Sequence, residues 1–161
     1  MPSLIQPTIQ VTLSSITDYT LVKKELSVPT MAQSHRFLLI GPSLKDPWQM
    51  LLHEVSETLG TLQTTNEAAA LDSVARHDYD LIVIDAVRVA DPYALVSRIR
   101  LKRPQARAVV VTASPTWKRA RRAFQAGATD YVQKSMNKET ILAMLRETLL
   151  KSPPPLGITG C

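Results

Sequence analysis

The chain has 161 residues, 45% of them hydrophobic, and a formal net charge of +5, proportions that suit one globular domain with enough mass to bury a core. No apolar run reaches the roughly 18 residues that a helical membrane span needs, and the N-terminus lacks a basic start followed by an apolar core. The single cysteine is Cys161, which excludes an internal disulfide framework and a cysteine metal cluster, so a reducing cytoplasm is the expected location.

Residues 1–34 differ from the rest of the chain. Ile9, Val11 and Leu13 alternate with Thr8, Gln10, Thr12 and Ser14, the period-two pattern of a half-buried strand. Residues 16–26 read equally as a strand or a short helix, and Pro29 with Thr30 to Ser34 reads as a hinge. The segment is therefore expected to be an arm, either disordered or a strand that pairs with an edge or with a second subunit.

From Phe37 the pattern becomes regular. Phe37 to Ile40 reads as a first buried strand, stopped by Gly41-Pro42-Ser43. Asp46-Pro47 opens a helix, with Asp as N-cap and Pro at its first position. Its apolar face is Trp48, Leu51, Leu52, Val55 and Leu59, and Gly60 is expected to end it. A short strand over Thr61 to Thr65 comes next, then a helix capped by Asn66 with Ala68, Leu71, Val74 and Ala75 inward. Leu81 to Ile84 is an uncharged apolar run, a strand buried on both faces, closed by Asp85. Asp91-Pro92 starts a third helix with Leu95, Val96 and Ile99 inward, and Ala108 to Thr112 is a fourth strand. Ser114-Pro115 opens a fourth helix carrying Trp117, Ala120, Ala123 and Phe124, closed by Gly127. Asp130 to Lys134 is a fifth strand, and Asn137 caps a last helix presenting Ile141, Leu142, Leu145 and Leu149. Ser152-Pro153-Pro154-Pro155 cannot continue that helix, so residues 152–161 are expected to form an extended, mobile tail.

Strand and helix thus alternate five times, which implies right-handed βαβ units, a parallel sheet and helices on both faces. The expected fold is a flavodoxin-like (βα)5 doubly wound five-stranded parallel sheet over residues 35–151, with the N-terminal arm as an extra segment. In such a fold the carboxyl ends of the strands form one shallow site. Here they supply Gly41-Pro42-Ser43, Asp85, Thr112-Ala113 and Lys134. An Asp, a hydroxyl and a Lys converging is a phosphoryl-acceptor arrangement, the carboxylate as nucleophile and the others gripping phosphoryl oxygens.

These residues, with the stretch Ala126-Gly127-Ala128-Thr129-Asp130-Tyr131-Val132-Gln133-Lys134, resemble the receiver domains of two-component response regulators from about Phe37 to Leu149. The resemblance implies that Asp85 is the phosphorylated acid, Thr112 the switch hydroxyl, Lys134 the phosphate-binding lysine and Tyr131 the rotating aromatic. It also implies an acidic pair after the first strand that holds Mg²⁺, and Gly41 and Pro42 stand there instead. With Asp85 as the only evident carboxylate, Mg²⁺ is expected to bind weakly or not at all, and no other metal or cofactor is implied. Asp85 and Lys134 then read either as an ion pair that fills the site, or as a working phospho-acceptor with Arg88 or Lys134 in place of the metal charge.

The expected function is a stand-alone atypical receiver, or pseudo-receiver: a non-enzymatic signalling and interaction module without Mg²⁺-dependent phosphorylation. The alternatives are a functional receiver phosphorylated on Asp85, and a nucleic-acid-associated factor using the basic run from Arg98 to Arg122. That run holds nine basic residues and no acidic one, and its bland reading is a solvated helix face. The resemblance implies a partner surface on the fourth helix, fifth strand and fifth helix, which carries Lys118, Arg119, Arg121, Arg122 and Tyr131. A signalling protein or histidine kinase is the expected partner, with self-association there or through the arm, and no membrane. His35, His53 and His77 show no metal spacing.

Overall fold

A computed structural model of the chain describes residues 34–156. The expected arm therefore lies outside the described residues, Ser34 excepted, and so does the tail beyond Leu156. Elements alternate along the chain: β1 (His35–Ile40), α1 (Pro47–Ser56), β2 (Gly60–Thr65), α2 (Glu67–Arg76), β3 (Leu81–Asp85), α3 (Pro92–Lys102), β4 (Ala108–Thr112), α4 (Trp117–Ala126), β5 (Asp130–Gln133) and α5 (Lys138–Leu150). The five strands form one parallel sheet in the order β2-β1-β3-β4-β5. The chain thus winds one way from β1 to β2 and the other way from β3 to β5, which is the expected flavodoxin-like (βα)5 fold.

Period two along the central strands divides the core into two layers. Leu38, Ile40, Ile82, Ile84 and Val110 face one side, where Ala70, Val74, Val96 and Ile99 pack on them. Phe37, Leu39, Val83, Val109 and Val111 face the other, against Trp48, Leu52, Val55, Ile141 and Leu145. Every residue of β3 and β4 is buried, as the uncharged runs require. Asp46, Asn66, Asp91 and Asn137 cap their helices by accepting backbone N–H bonds, and Gly127 ends α4 in the left-handed region at φ +108°.

Four local expectations differ. Gly60 does not end α1, which closes at Ser56; it begins β2, where a Cβ would lie 1.9 Å from the His35 carbonyl oxygen. Close approach of two strand backbones, rather than helix termination, is what requires glycine there. Helix α2 buries Ala70 and Val74, while Ala68 and Ala75 face outward. Helix α4 starts later than expected, with Thr116 as its N-cap, and Ala123 is its one buried residue. Trp117 is 78% exposed and Phe124 45%, so the expected apolar face is largely on the surface.

The fourth difference concerns the tail. Arg100 on α3 is fully buried, and its guanidinium donates to the carbonyls of Pro104, Gly127 and Pro154. Arg107 donates to the carbonyl of Lys151 at 2.8 Å. Residues 152–156 are therefore non-helical as expected, yet tied to the domain by arginine side chains. Among the described residues no helix is long and apolar enough to cross a membrane.

Candidate functional site at the carboxyl edge of the sheet

Asp85 ends β3 in the middle of the sheet and is 0% exposed. Its Oδ2 accepts from Lys134 Nζ at 2.8 Å and from Gln49 Nε2 at 2.9 Å, and its Oδ1 from the Val87 N–H at 3.1 Å. Three donors on one enclosed carboxylate supply the pairing that burial of a charge demands.

Lys134 follows β5, and its N–H donates to the Thr112 carbonyl at 2.9 Å, which fixes the backbone beside Asp85. Its ammonium also reaches Asp46 Oδ2 at 3.1 Å and lies 5.2 Å from the centre of the Trp48 ring. The expectation of a single carboxylate is thereby corrected. Asp46, read only as a helix cap, serves twice: Oδ1 accepts the Trp48 N–H at 2.9 Å and Oδ2 faces Lys134. Desolvation is the largest single influence on Asp46 and opposes its ionisation. The hydrogen bonds from Lys134 and Trp48, with the Lys134 charge, together outweigh it and hold the carboxyl below its ordinary range.

Gln49 is the residue of the candidate site that sequence reasoning missed. It is 3% exposed on the first turn of α1. Its Oε1 accepts the Ser43 N–H at 2.7 Å, and its Nε2 donates to the Gly41 carbonyl and to Asp85, each at 2.9 Å. The partners fix which way the amide points, because a carbonyl only accepts and a backbone N–H only donates. The available signal was its place three residues before Leu52, on the buried arc of α1.

Gly41 begins the loop after β1 at φ +92°, and a Cβ there would meet Arg88 Cβ at 2.6 Å. Backbone conformation and close approach both exclude an acidic side chain at this position. Arg88, expected as one substitute for a metal charge, has an exposed side chain. Among the described residues, Asp85 pairs ionically with Lys134 alone. No three His, Cys, Asp or Glu side chains come together there as a metal-holding group.

The family model described as the response regulator receiver domain matches residues 45–146. The chain belongs to this family. Solved structures agree on the fold. An orphan response regulator of H. pylori is 22% identical with a TM-score of 0.63, covering 72% of this chain and 97% of that one. A response regulator from Thermotoga maritima is 18% identical with a TM-score of 0.65 (73% and 98% covered), and chemotaxis response regulator CheY4 of Vibrio cholerae 19% with 0.63 (72% and 99%). No curated protein matches the chain.

The remaining candidate residues of this receiver lie on β4, β5 and α4. Thr112 is buried at the end of β4, and its hydroxyl oxygen accepts the Ser114 N–H at 3.1 Å. Among the described residues that hydroxyl makes no hydrogen bond to the side chain of Asp85 or Lys134. Tyr131, on β5, points a buried hydroxyl that no protein group pairs. It shares with Thr112, Tyr93 and Arg119 a cleft of about 320 Å³. Lys118, Arg119, Arg121 and Arg122 are all exposed on α4, and the Arg122 guanidinium sits 4.2 Å from the centre of the Tyr93 ring. The wider basic run does not form one face. Arg100 is buried, Arg103 pairs with Asp78 at 2.8 Å and with the carbonyls of Val74 and Ala75, and Arg107 holds Lys151.

Proposed function

We propose that this receiver is an atypical one, a signalling and protein-interaction module that works without Mg²⁺-dependent phosphorylation of Asp85. The observation that carries the reading is the enclosure of Asp85, wholly buried with both oxygens held by Lys134, Gln49 and the Val87 N–H. An attacking carboxylate must meet phosphorus in line and at contact distance. Here the approach to Oδ2 is filled by an ammonium and an amide.

The divalent cation that the family implies does not fit this arrangement. Mg²⁺ requires oxygen ligands in a near-ideal octahedron, whereas Asp85 Oδ2 faces two N–H donors and the Gly41 carbonyl is capped by Gln49. Without metal to neutralise developing charge, phosphoryl transfer loses several kcal/mol of stabilisation, roughly three or more decades in rate. Incubation with a small acyl phosphate, with and without Mg²⁺, followed by intact-mass measurement, tests this. An unchanged mass is expected, and a metal-dependent gain of one phosphoryl group, lost in Asp85→Asn, refutes it.

In this reading output passes through partner contacts on α4, β5 and α5. Lys118, Arg119, Arg121 and Arg122 suit an acidic surface on a signalling protein, a histidine kinase or a second copy, and Tyr131 lies beside them. The domain proper spans residues 35–151, with residues 1–34 as an arm and 152–161 as a tail, in a cytoplasmic, non-enzymatic protein. A second reading, the working phospho-receiver, has one observation in its favour: Asp46 brings a second carboxylate to the ammonium that holds Asp85. The same mass experiment separates the two.

A further inference from the structure

We infer that Gln49 is the residue that keeps a divalent cation out of the receiver cleft, its amide nitrogen capping both Asp85 and the Gly41 carbonyl. The inference deepens the proposed function and rests on its reading of the closed site.

Atom accounting supports it. The two Nε2 hydrogens are taken up by Gly41 O and Asp85 Oδ2, both at 2.9 Å, and Oε1 is taken up by the Ser43 N–H at 2.7 Å. A carboxylate oxygen and a carbonyl oxygen, both of the kind that ligate hard cations, are thus each engaged by the same amide nitrogen. A few ångströms away the Lys134 ammonium bridges Asp85 Oδ2 at 2.8 Å and Asp46 Oδ2 at 3.1 Å. Oxygens from the β1 loop and the α1 cap are thus each linked to Asp85 Oδ2 through an N–H group, the first by Gln49 and the second by Lys134. The cluster is oxygen-rich, yet each of these oxygens already accepts from Gln49 or Lys134. Loss of the acidic pair alone does not explain this, because Asp46 and Asp85 still supply two carboxylates.

Changing the amide to a carboxylate reverses the sign of the interaction. Gln49→Glu removes both N–H donors and sets a third anionic oxygen against Asp85 and Gly41 O. The formal charge of the cluster goes from −1 (Asp46, Asp85, Lys134) to −2. A hard divalent cation relieves that repulsion.

The test uses Mn²⁺, whose paramagnetism quenches nearby fluorescence and whose bound fraction is counted by EPR. The chain has two tryptophans, so a Trp117→Phe background leaves Trp48, beside Lys134, as the only reporter. The parent chain is expected to show no saturable Mn²⁺ binding. Gln49→Glu is expected to bind one ion at least about tenfold more tightly, with quenching of Trp48. If that variant is unfolded in metal-free buffer, Mn²⁺ is expected to refold it. A folded Gln49→Glu chain that stays as blind to Mn²⁺ as the parent overturns the inference and leaves the proposed function standing, as does an unfolded one that Mn²⁺ does not rescue. A parent chain that itself takes up one Mn²⁺ in this cleft overturns the inference together with the reading of a metal-free receiver.

Discussion

Lys134→Met tests whether one ammonium holds the carboxyl edge together. The lysine side chain is 12% exposed, and its partners Asp85 and Asp46 are 0% and 13% exposed. Removing the cation leaves Asp85 charged and enclosed with only the neutral donors of Gln49 and Val87. Breaking a buried pair by deleting one partner costs about 3–5 kcal/mol. The surviving hydrogen bonds put this case at the lower end, about 3 kcal/mol, which corresponds to a melting point lower by roughly 10 °C. Replacing Asp85 by Asn in the same chain removes the stranded charge while keeping its shape. Lys134→Met/Asp85→Asn should therefore lose less than the sum of the single variants, with a coupling of at least about 2 kcal/mol. Urea unfolding followed by circular dichroism measures all four chains of the cycle. A single-variant cost under about 1 kcal/mol, as for a solvent-exposed pair, or strict additivity across the cycle, would refute the reasoning.

Three further outcomes are expected. Asp46→Asn keeps a competent helix cap and removes the charged acceptor that faces Lys134, whose hydrogen bond and charge help hold the Asp46 carboxyl below its ordinary value of 3.8. A depressed carboxyl stabilises the fold above its unfolded pKa and stops doing so as pH falls through the folded one. The advantage of the parent chain in urea midpoint should thus be full at neutral pH and vanish below 3.8; a gap independent of pH would count against the Asp46–Lys134 bond. Gly60→Ala would place a Cβ 1.9 Å from the His35 carbonyl oxygen, forcing β1 and β2 apart at a cost of about 2–3 kcal/mol; a melt indistinguishable from the parent removes that argument. Arg100→Met strands the carbonyls of Gly127, Pro104 and Pro154 and should cost about 2–4 kcal/mol. Trypsin should then cleave faster after Lys151, and an unchanged rate would mean that Arg100 does not hold the tail.

The fold was legible because its signals are repetitive and local. Runs such as Leu81–Ile84 and Val109–Val111 leave no polar face for water, and Asp46, Asn66, Asp91 and Asn137 announce helix starts by side-chain chemistry. The errors arose where a residue type has two physical uses. Gly60 fits either a helix end or a close strand pair, and only tertiary placement decides. Trp117 and Phe124 satisfy helical periodicity, but the wall of α4 that meets the core is narrow, with Ala123 buried and Ala126 partly buried against it. At the site, Asp85 and Lys134 were readable from strand ends, whereas Asp46 was hidden by its capping role. Gln49 was hidden because an uncharged polar residue beside an apolar stripe has no signature until its three partners are seen.

The same geometry bears on how such a receiver could signal. A partner shifts a conformational equilibrium only by its difference in affinity for the two states, and phosphorylation is the usual source of that difference. If Asp85 is satisfied internally by Lys134 and Gln49, the free energy must come from contacts made elsewhere. Moving a population from 1:99 to 99:1 takes about 5.5 kcal/mol of differential binding. Helix α4 is suited to that load because it buries a single alanine, exposes Trp117 and Phe124 beside four cations, and begins, through Arg119 in its first turn, against the cleft that holds Tyr131 and Thr112. Two aromatic side chains seated in a partner's pocket supply energy of this order. On the proposed reading, a partner that engages α4 does what phosphate does in a phosphorylated receiver, and Asp85 need not change its charge.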